Sequence, residues 1–186
     1  VNGNRITQKH TVFIKNISLE ETEEQKIEEK PLGEELIVNG DFSNDQDNWE
    51  NAINAPGEAD VDFSNGKAVY NIKNVGSEEW HIQLKQPGIT LENGNKYELC
   101  LKAKSDEART IKAALLTASY DWYGGADIDL EKDTEKEVII PIYVDKATDT
   151  DITLVVSMGI MEGKDTPVST IEIDDISLKK VSEFSQ

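Results

Sequence analysis

A nine-residue stretch occurs twice in this chain, TVFIKNISL at residues 11–19 and TIEIDDISL at residues 170–178, and in both copies the apolar alternation changes parity partway. Val12 and Ile14 give way to Ile17 and Leu19; Ile171 and Ile173 give way to Ile176 and Leu178. Side chains of a strand alternate between faces with period two. A strand that keeps one face apolar through such a shift needs a β-bulge or a sharp bend at the polar pair between. The duplication predicts that residues 1–19 are the C-terminal strand fragment of one module and that a second, similar module follows.

Residues 20–35, EETEEQKIEEKPLGEE, are dominated by acids, include Pro31 and Gly33, and offer only Ile27 and Leu32 as anchors, which reads as a linker. Short runs with period-two alternation follow. Tyr97, Leu99, Leu101 and Ala103 share one face of KYELCLKAKS, and Ile152, Leu154, Val156 and Met158 one face of DITLVVSMGI. Further strands are expected near residues 36–38, 59–63, 67–72, 81–85, 110–117, 126–130 and 137–144. Asn-Gly pairs at Asn39-Gly40, Asn65-Gly66 and Asn93-Gly94 punctuate them. Many short strands without a helical stripe predict an all-β fold, an antiparallel β-sandwich over residues 36–180, with a short tail at 181–186.

The formal charge is −18, from 37 acidic against 19 basic side chains, so attraction to a phosphate backbone or an anionic lipid surface is disfavoured. Partners should be neutral, cationic or metallic. One cysteine, Cys100, excludes an intrachain disulfide and cysteine-rich zinc sites, and His10 and His81 alone supply imidazole. That leaves little material for a nucleophilic triad. No apolar run approaches the roughly 18 residues of a membrane span.

LIVNGDFSNDQDNWE, then EWHIQLKQPGITLENGNKYELCLKAKS, RTIKAALL and finally TIEIDDISL resemble, in this order and spacing, the carbohydrate-binding modules of family 4 and its relatives in families 9, 16 and 22. The resemblance covers residues 36–178. It implies a jelly-roll β-sandwich whose concave sheet face grips a polysaccharide chain without chemistry. It also implies a preceding tandem module, an attached glycoside hydrolase and a secreted or cell-surface place outside a bacterial cell.

A sugar ring has an apolar C–H face and a rim of hydroxyls, so aromatic platforms beside amides suit it. Trp80 stands just ahead of the Ile82 and Leu84 alternation, where the family often places a stacking aromatic. Gln83 and Lys85 point to the face opposite Ile82 and Leu84, and by resemblance Gln83 matches a position that reads sugar hydroxyls. In SYDWYGGADI, Tyr120, Trp122 and Tyr123 read as an aromatic loop over a cleft, or else as a cover on the sandwich end. Trp49 corresponds to a tryptophan that caps the core in some relatives and contacts sugar in others. Glu98, Cys100 and Lys102 share a strand face expected to line the concave sheet or to face solvent, and His81 is expected at the cleft margin or in solvent.

The resemblance also implies a structural calcium where the first and last strands meet, held by Ser43, by the stretch from Ser64 to Lys67, and by Asp174. Hard cations want several oxygen ligands. Ser43 stands where an acidic residue is frequent, which thins the donor set. The leading expectation is therefore a non-catalytic module for a β-glycan such as β-glucan, cellulose, mannan or xylan. The competing classes are a structural spacer or adhesion domain and a glycosidase or lyase. An unpaired strand at residues 11–19 would need an open sheet edge of this or a neighbouring module, which allows an edge-mediated dimer.

Overall fold

A computed structural model describes residues 32–185. Ten strands form two five-stranded antiparallel sheets packed face to face. The strands are β1 (Glu50–Ile53), β2 (Glu58–Asp62), β3 (Ala68–Asn74), β4 (Ile82–Leu91), β5 (Lys96–Ser105), β6 (Arg109–Leu116), β7 (Trp122–Leu130), β8 (Lys136–Tyr143), β9 (Asp149–Ser157) and β10 (Thr170–Val181). One sheet runs β1-β4-β9-β6-β7 and the other β2-β3-β10-β5-β8. This is the all-β sandwich of the jelly-roll kind expected from the alternation.

Each inner face is the apolar half of an alternating strand. Ile82, Leu84, Ile111, Ala113, Ile152, Leu154 and Val156 from the first sheet meet Tyr70, Leu99, Leu101, Ala103, Ile171, Ile173 and Leu178 from the second, all but removed from water. Burial of this kind contributes about 25 cal/mol per Å² of apolar surface and fixes which face of each strand looks inward. Asn65-Gly66 closes the β2–β3 hairpin and Asn93-Gly94 turns the chain from β4 into β5 of the other sheet, with Gly66 and Gly94 both in left-handed conformation.

The bulge read from the parity shift is present. Pairing of β10 with β5 shifts register between Asp174 and Ser177, and Asp175 is left-handed. Into that irregularity fits the third Asn-Gly turn, where the Ile176 amide donates to the Gly40 carbonyl at 2.9 Å. A Cβ on Gly40 would stand 1.8 Å from the Ile176 carbonyl oxygen, so only glycine allows the approach.

Three expectations differ from the structure. Residues 36–38 form no strand; the buried Gln86 amide instead bonds both the amide and the carbonyl of Val38 at 2.8 Å, satisfying that backbone without a ladder. Strand β1 carries no alternation strong enough to be read. The aromatic run beginning at Trp122 is the start of β7, which holds it to β6 through Leu116. The repeat at residues 11–19 and nearly all of the linker expected at 20–35 lie outside the described residues. At its end, Gly33 and Leu36 donate to Lys180 and Leu178 of β10, and Glu35 accepts from Ser177 and Leu178.

Gly40→Ala is expected to destabilise the fold by about 3 kcal/mol, the upper end for overpacking, because the obstacle is a backbone carbonyl. Urea denaturation measures this; a variant within about 0.5 kcal/mol of wild type would mean that the turn is not locked by this contact.

Candidate functional site

The outward face of the β1-β4-β9-β6-β7 sheet is where the molecule is hollow. Cross-strand pairing sets two transverse rows of side chains there. One runs Ala52, Gln83, Ser157, Lys112, Asp127; the next runs Glu50, Lys85, Val155, Ala114, Gly125. Small residues at the centre and indoles at the margins make a trough of about 700 Å³, within the ordinary range for ligand sites. Trp80 at one side is 49% exposed and Trp122 at the other 45%. Both line the trough, as does Tyr120, which is left-handed and 76% exposed in the β6–β7 turn.

Trp80 is held from below. It sits on a single 3-10 turn, Glu79–His81, and its ring meets the buried His81 edge-on at 4.3 Å between centroids. His81 Nδ1 accepts from the Ser77 amide at 2.9 Å, which leaves the proton of a neutral ring on Nε2. Gly76 is left-handed, and a Cβ there would strike the imidazole at 2.4 Å. The backbone closes on the same point: Asn54 donates to His81 at 2.8 Å and Gly159 to Glu79 at 3.1 Å. His81, expected at the margin or in solvent, is therefore a buried brace, because the turn needs an acceptor for the Ser77 amide.

The polar floor is small and ordered. Gln83 Nε2 donates to Ser157 Oγ at 3.0 Å, and Gln83 Oε1 has no protein partner among the described residues. Lys112 contacts Glu79 and stands 3.8 Å from Asp127, tying the turn that bears Trp80 to β6 and β7. Lys85 is half-buried and forms no ion pair among the described residues. Beside it the trough continues into a second hollow of about 190 Å³.

The structure thus brings Trp80, Gln83, Lys85, Tyr120 and Trp122 together on one face. It does not bring Trp49 there. That indole is 4% exposed, packs on Phe42 at 5.3 Å, and donates from Nε1 to the Asn39 carbonyl at 2.8 Å. Its role is to cap the core. Tyr123 also leaves the set: it points to the opposite side of β7, packs against the core, and donates its hydroxyl to Ala147 at 2.6 Å. Glu98, Cys100 and Lys102 lie on β5, in the other sheet, so they cannot line this trough. Residues not singled out in the sequence include Asn54, Glu79, Lys112, Ala114, Val155 and Ser157. Opposite parity to Ile111 and Val156 marks Lys112 and Ser157 as outward, but which outward face is concave depends on sheet order.

Of the positions considered for calcium, Lys67 and Asp174 lie together on the second sheet, away from the trough. The turn at residues 40–43 meets the β10 bulge through Gly40, and a Cβ on Gly66 would stand 3.8 Å from the Asp41 carbonyl oxygen. Ser43 donates from its amide and hydroxyl to Asp41, and the Ser64 amide donates to Asp62 at 2.9 Å. Lys67 pairs with Glu172 at 2.9 Å. Partial burial holds the Asp174 carboxyl above its usual range, with Lys67 and Lys102 pulling the other way. No group of three or more acidic, histidine or cysteine side chains suited to a metal forms among the described residues.

The fold is that of a β-sandwich carbohydrate-binding domain. The family model "Carbohydrate binding domain" (CBM_4_9) matches residues 34–168, and the chain belongs to that family. A structure described as "CBM4 structure and function" is 23% identical, with a TM-score of 0.62 over 80% of this chain and 96% of its own. The N-terminal cellulose-binding domain of Cellulomonas fimi β-1,4-glucanase C is 18% identical, with a TM-score of 0.58 over 84% and 100%. The CBM22-1 xylan-binding domain of Paenibacillus barcinonensis Xyn10C is 9% identical, with a TM-score of 0.55 over 84% and 100%. At these identities the likeness is one of fold. A search of curated proteins finds no match.

Acrylamide quenching of tryptophan fluorescence should resolve an accessible population, Trp80 and Trp122, and a shielded one, Trp49. Trp49→Phe removes the shielded fraction. A single, uniformly quenched population would contradict the burial of that indole.

Proposed function

We propose that this domain binds a β-glycan chain in the trough, without chemistry of its own, and so holds an attached glycoside hydrolase near polysaccharide. The observation that carries the reading is the pairing of two half-exposed indoles, Trp80 and Trp122, with the unpartnered amide oxygen of Gln83 between them. The indoles offer flat apolar faces to sugar C–H surfaces, and the amide reads a hydroxyl. β-Glucan or cellulose, mannan and xylan are the chains considered; cellulose and xylan are bound by two of the similar domains above. Tethering raises the effective concentration of an enzyme at its polymer without changing the catalytic step. A secreted or cell-surface location belongs to the same reading. No helix among the described residues is long and apolar enough to cross a membrane, which says nothing of membrane β-barrels.

Affinity electrophoresis and isothermal titration against soluble cellulose derivatives, mixed-linkage β-glucan, xylan and mannan test the proposal. Binding to at least one is expected. Trp80→Ala and Trp122→Ala should each weaken it by about tenfold or more, with Gln83→Ala close behind. No retardation and no heat across the panel would overturn it.

A structural calcium at the β10 bulge completes the proposal. Its support is that the 40–43 turn docks on the bulge at Ile176, that Gly66 of the neighbouring turn stands near Asp41, and that Asp174 beside the bulge is a partly desolvated carboxylate which a cation would compensate. Asp174 would share it with peptide or hydroxyl oxygens of Ser43, Ser64 and Lys67. Calcium at a hundredfold excess over its Kd should raise Tm by about 5 °C over chelator-treated protein, and Asp174→Asn should abolish the increment. Equal Tm with and without calcium rules the ion out.

A further inference from the structure

The cleft cations differ in how they are compensated. Lys112 is neutralised by Glu79 and Asp127. Lys85 has no such partner among the described residues, although it is half-buried on the trough floor beside Val155. A neutral sugar chain needs hydrogen-bond donors and acceptors but no net charge from its site. A lysine whose stem lies along the trough floor presents its ammonium at the trough surface, where an anionic group on the ligand can make a charge-assisted hydrogen bond with it.

The second hollow gives such a group a place. It opens from the trough at Lys85 and is walled by Pro87, Thr117, Tyr120 and Thr153, with Glu50 at its edge. At about 190 Å³ against about 700 Å³ it has room for a side group rather than for the chain. The charged groups that face Lys85 across the two hollows are Glu50 on β1, next to it in register, and the Lys112 cluster with Glu79 and Asp127. Glu50 is exposed and forms no ion pair with Lys85. The net charge of −18 sets the other limit, because a densely charged polyuronate is repelled before it reaches the trough. An isolated carboxylate on a neutral backbone escapes most of that repulsion, since exposed charges are screened beyond about 8 Å at physiological salt.

Building on the glycan reading above, we propose that Lys85 makes the trough selective for a β-glycan whose neutral backbone bears scattered uronic acid side groups. The carboxylate is received by the Lys85 ammonium at the mouth of the smaller hollow. Lys85 is then a specificity determinant, while Trp80, Trp122 and Gln83 grip the backbone.

Isothermal titration of the full chain against two matched pairs tests this. The pairs are glucuronoxylan with the same polymer after carboxyl reduction, and carboxymethyl-cellulose with hydroxyethyl-cellulose. In the pair whose backbone binds, the charged member should bind about fivefold more tightly, the worth of one partly exposed ion pair. Lys85→Gln should bring the charged-to-neutral ratio to one, and Glu50→Gln should widen it. A purely structural Lys85 would change both affinities together and leave the ratio intact, which overturns the proposal. So does a wild-type ratio of one or less. If neutral members bind and the ratio is one, only the uronate selectivity falls; if no member of either pair binds, the selectivity falls, and the glycan reading falls with it when mixed-linkage β-glucan and mannan also fail to bind.

Discussion

A slip of one residue between β4 and β9 would turn Leu84 to the outer face and Gln83 into the core between the sheets, and every feature of the trough would go with it. The packing of Ile82, Leu84, Leu154, Val156, Ala113 and Ile111 against the facing sheet prevents that slip. Because period two ties the two faces of a strand together, a core locked in register also locks the row Ala52, Gln83, Ser157, Lys112, Asp127. The hydrogen bond from Gln83 to Ser157 then follows from register alone, across neighbouring strands at directly opposed positions. The site's precision is thus inherited from apolar burial that has no contact with a ligand.

What the core cannot supply is the rims. Trp80 sits on a one-turn 3-10 helix, too short to be stable by itself, and it depends on contacts from three directions. His81 accepts from the Ser77 amide, Asn54 donates to the His81 carbonyl, and Gly159 donates to Glu79. Trp122 is placed otherwise. A register shift between Leu115 and Leu116 lets two residues of β7 oppose one of β6, so Trp122 turns outward while Gly124 backs onto Ile142 of β8. A Cβ on Gly125 would meet the Ala113 carbonyl oxygen at 2.3 Å and the Trp122 ring at 3.0 Å, so the indole lies over bare backbone. One platform is held by loop hydrogen bonds and the other by a bulge and a glycine, which separates the structural consequences of altering either.

The fold was legible because its signals are local. Alternation in β5, β9 and β10, and the Asn-Gly turns, report strands and chain reversals within a few residues of themselves, and the parity shift alone marks the β10 bulge. Gln83 and Lys85 were legible as outward residues for the same reason. Trp49 and Tyr123 were not separable from the cleft aromatics, because an indole or phenol has the same composition signal whether its polar atom meets a backbone carbonyl or a ligand. Trp49 finds the Asn39 carbonyl ten residues back, and Tyr123 finds Ala147 in a loop 24 residues away, partners that neighbouring residues in sequence do not announce. Lys112 and Ser157 belong to strands whose adjacency arises only from the order β4-β9-β6, a long-range choice that alternation does not encode. The same blindness put β5 on the concave sheet when it lies in the other one.

Charge is distributed as the architecture demands. Acidic side chains outnumber basic ones 37 to 19, yet the trough is lined by two lysines, Lys85 and Lys112, and one acid, Glu79. The two sit in adjacent transverse rows and differ by their neighbours on the strand: Lys112 lies in register with Asp127 and within reach of Glu79, whereas Lys85 lies between Glu50 and Val155. Compensation of Lys112 uses the acid of the turn that carries Trp80, so that ion pair serves as a brace and its cation is spent within the protein. Lys85 forms no ion pair among the described residues, so its ammonium stays available to a group outside the protein, and the hollow that opens at its side limits the size of that group.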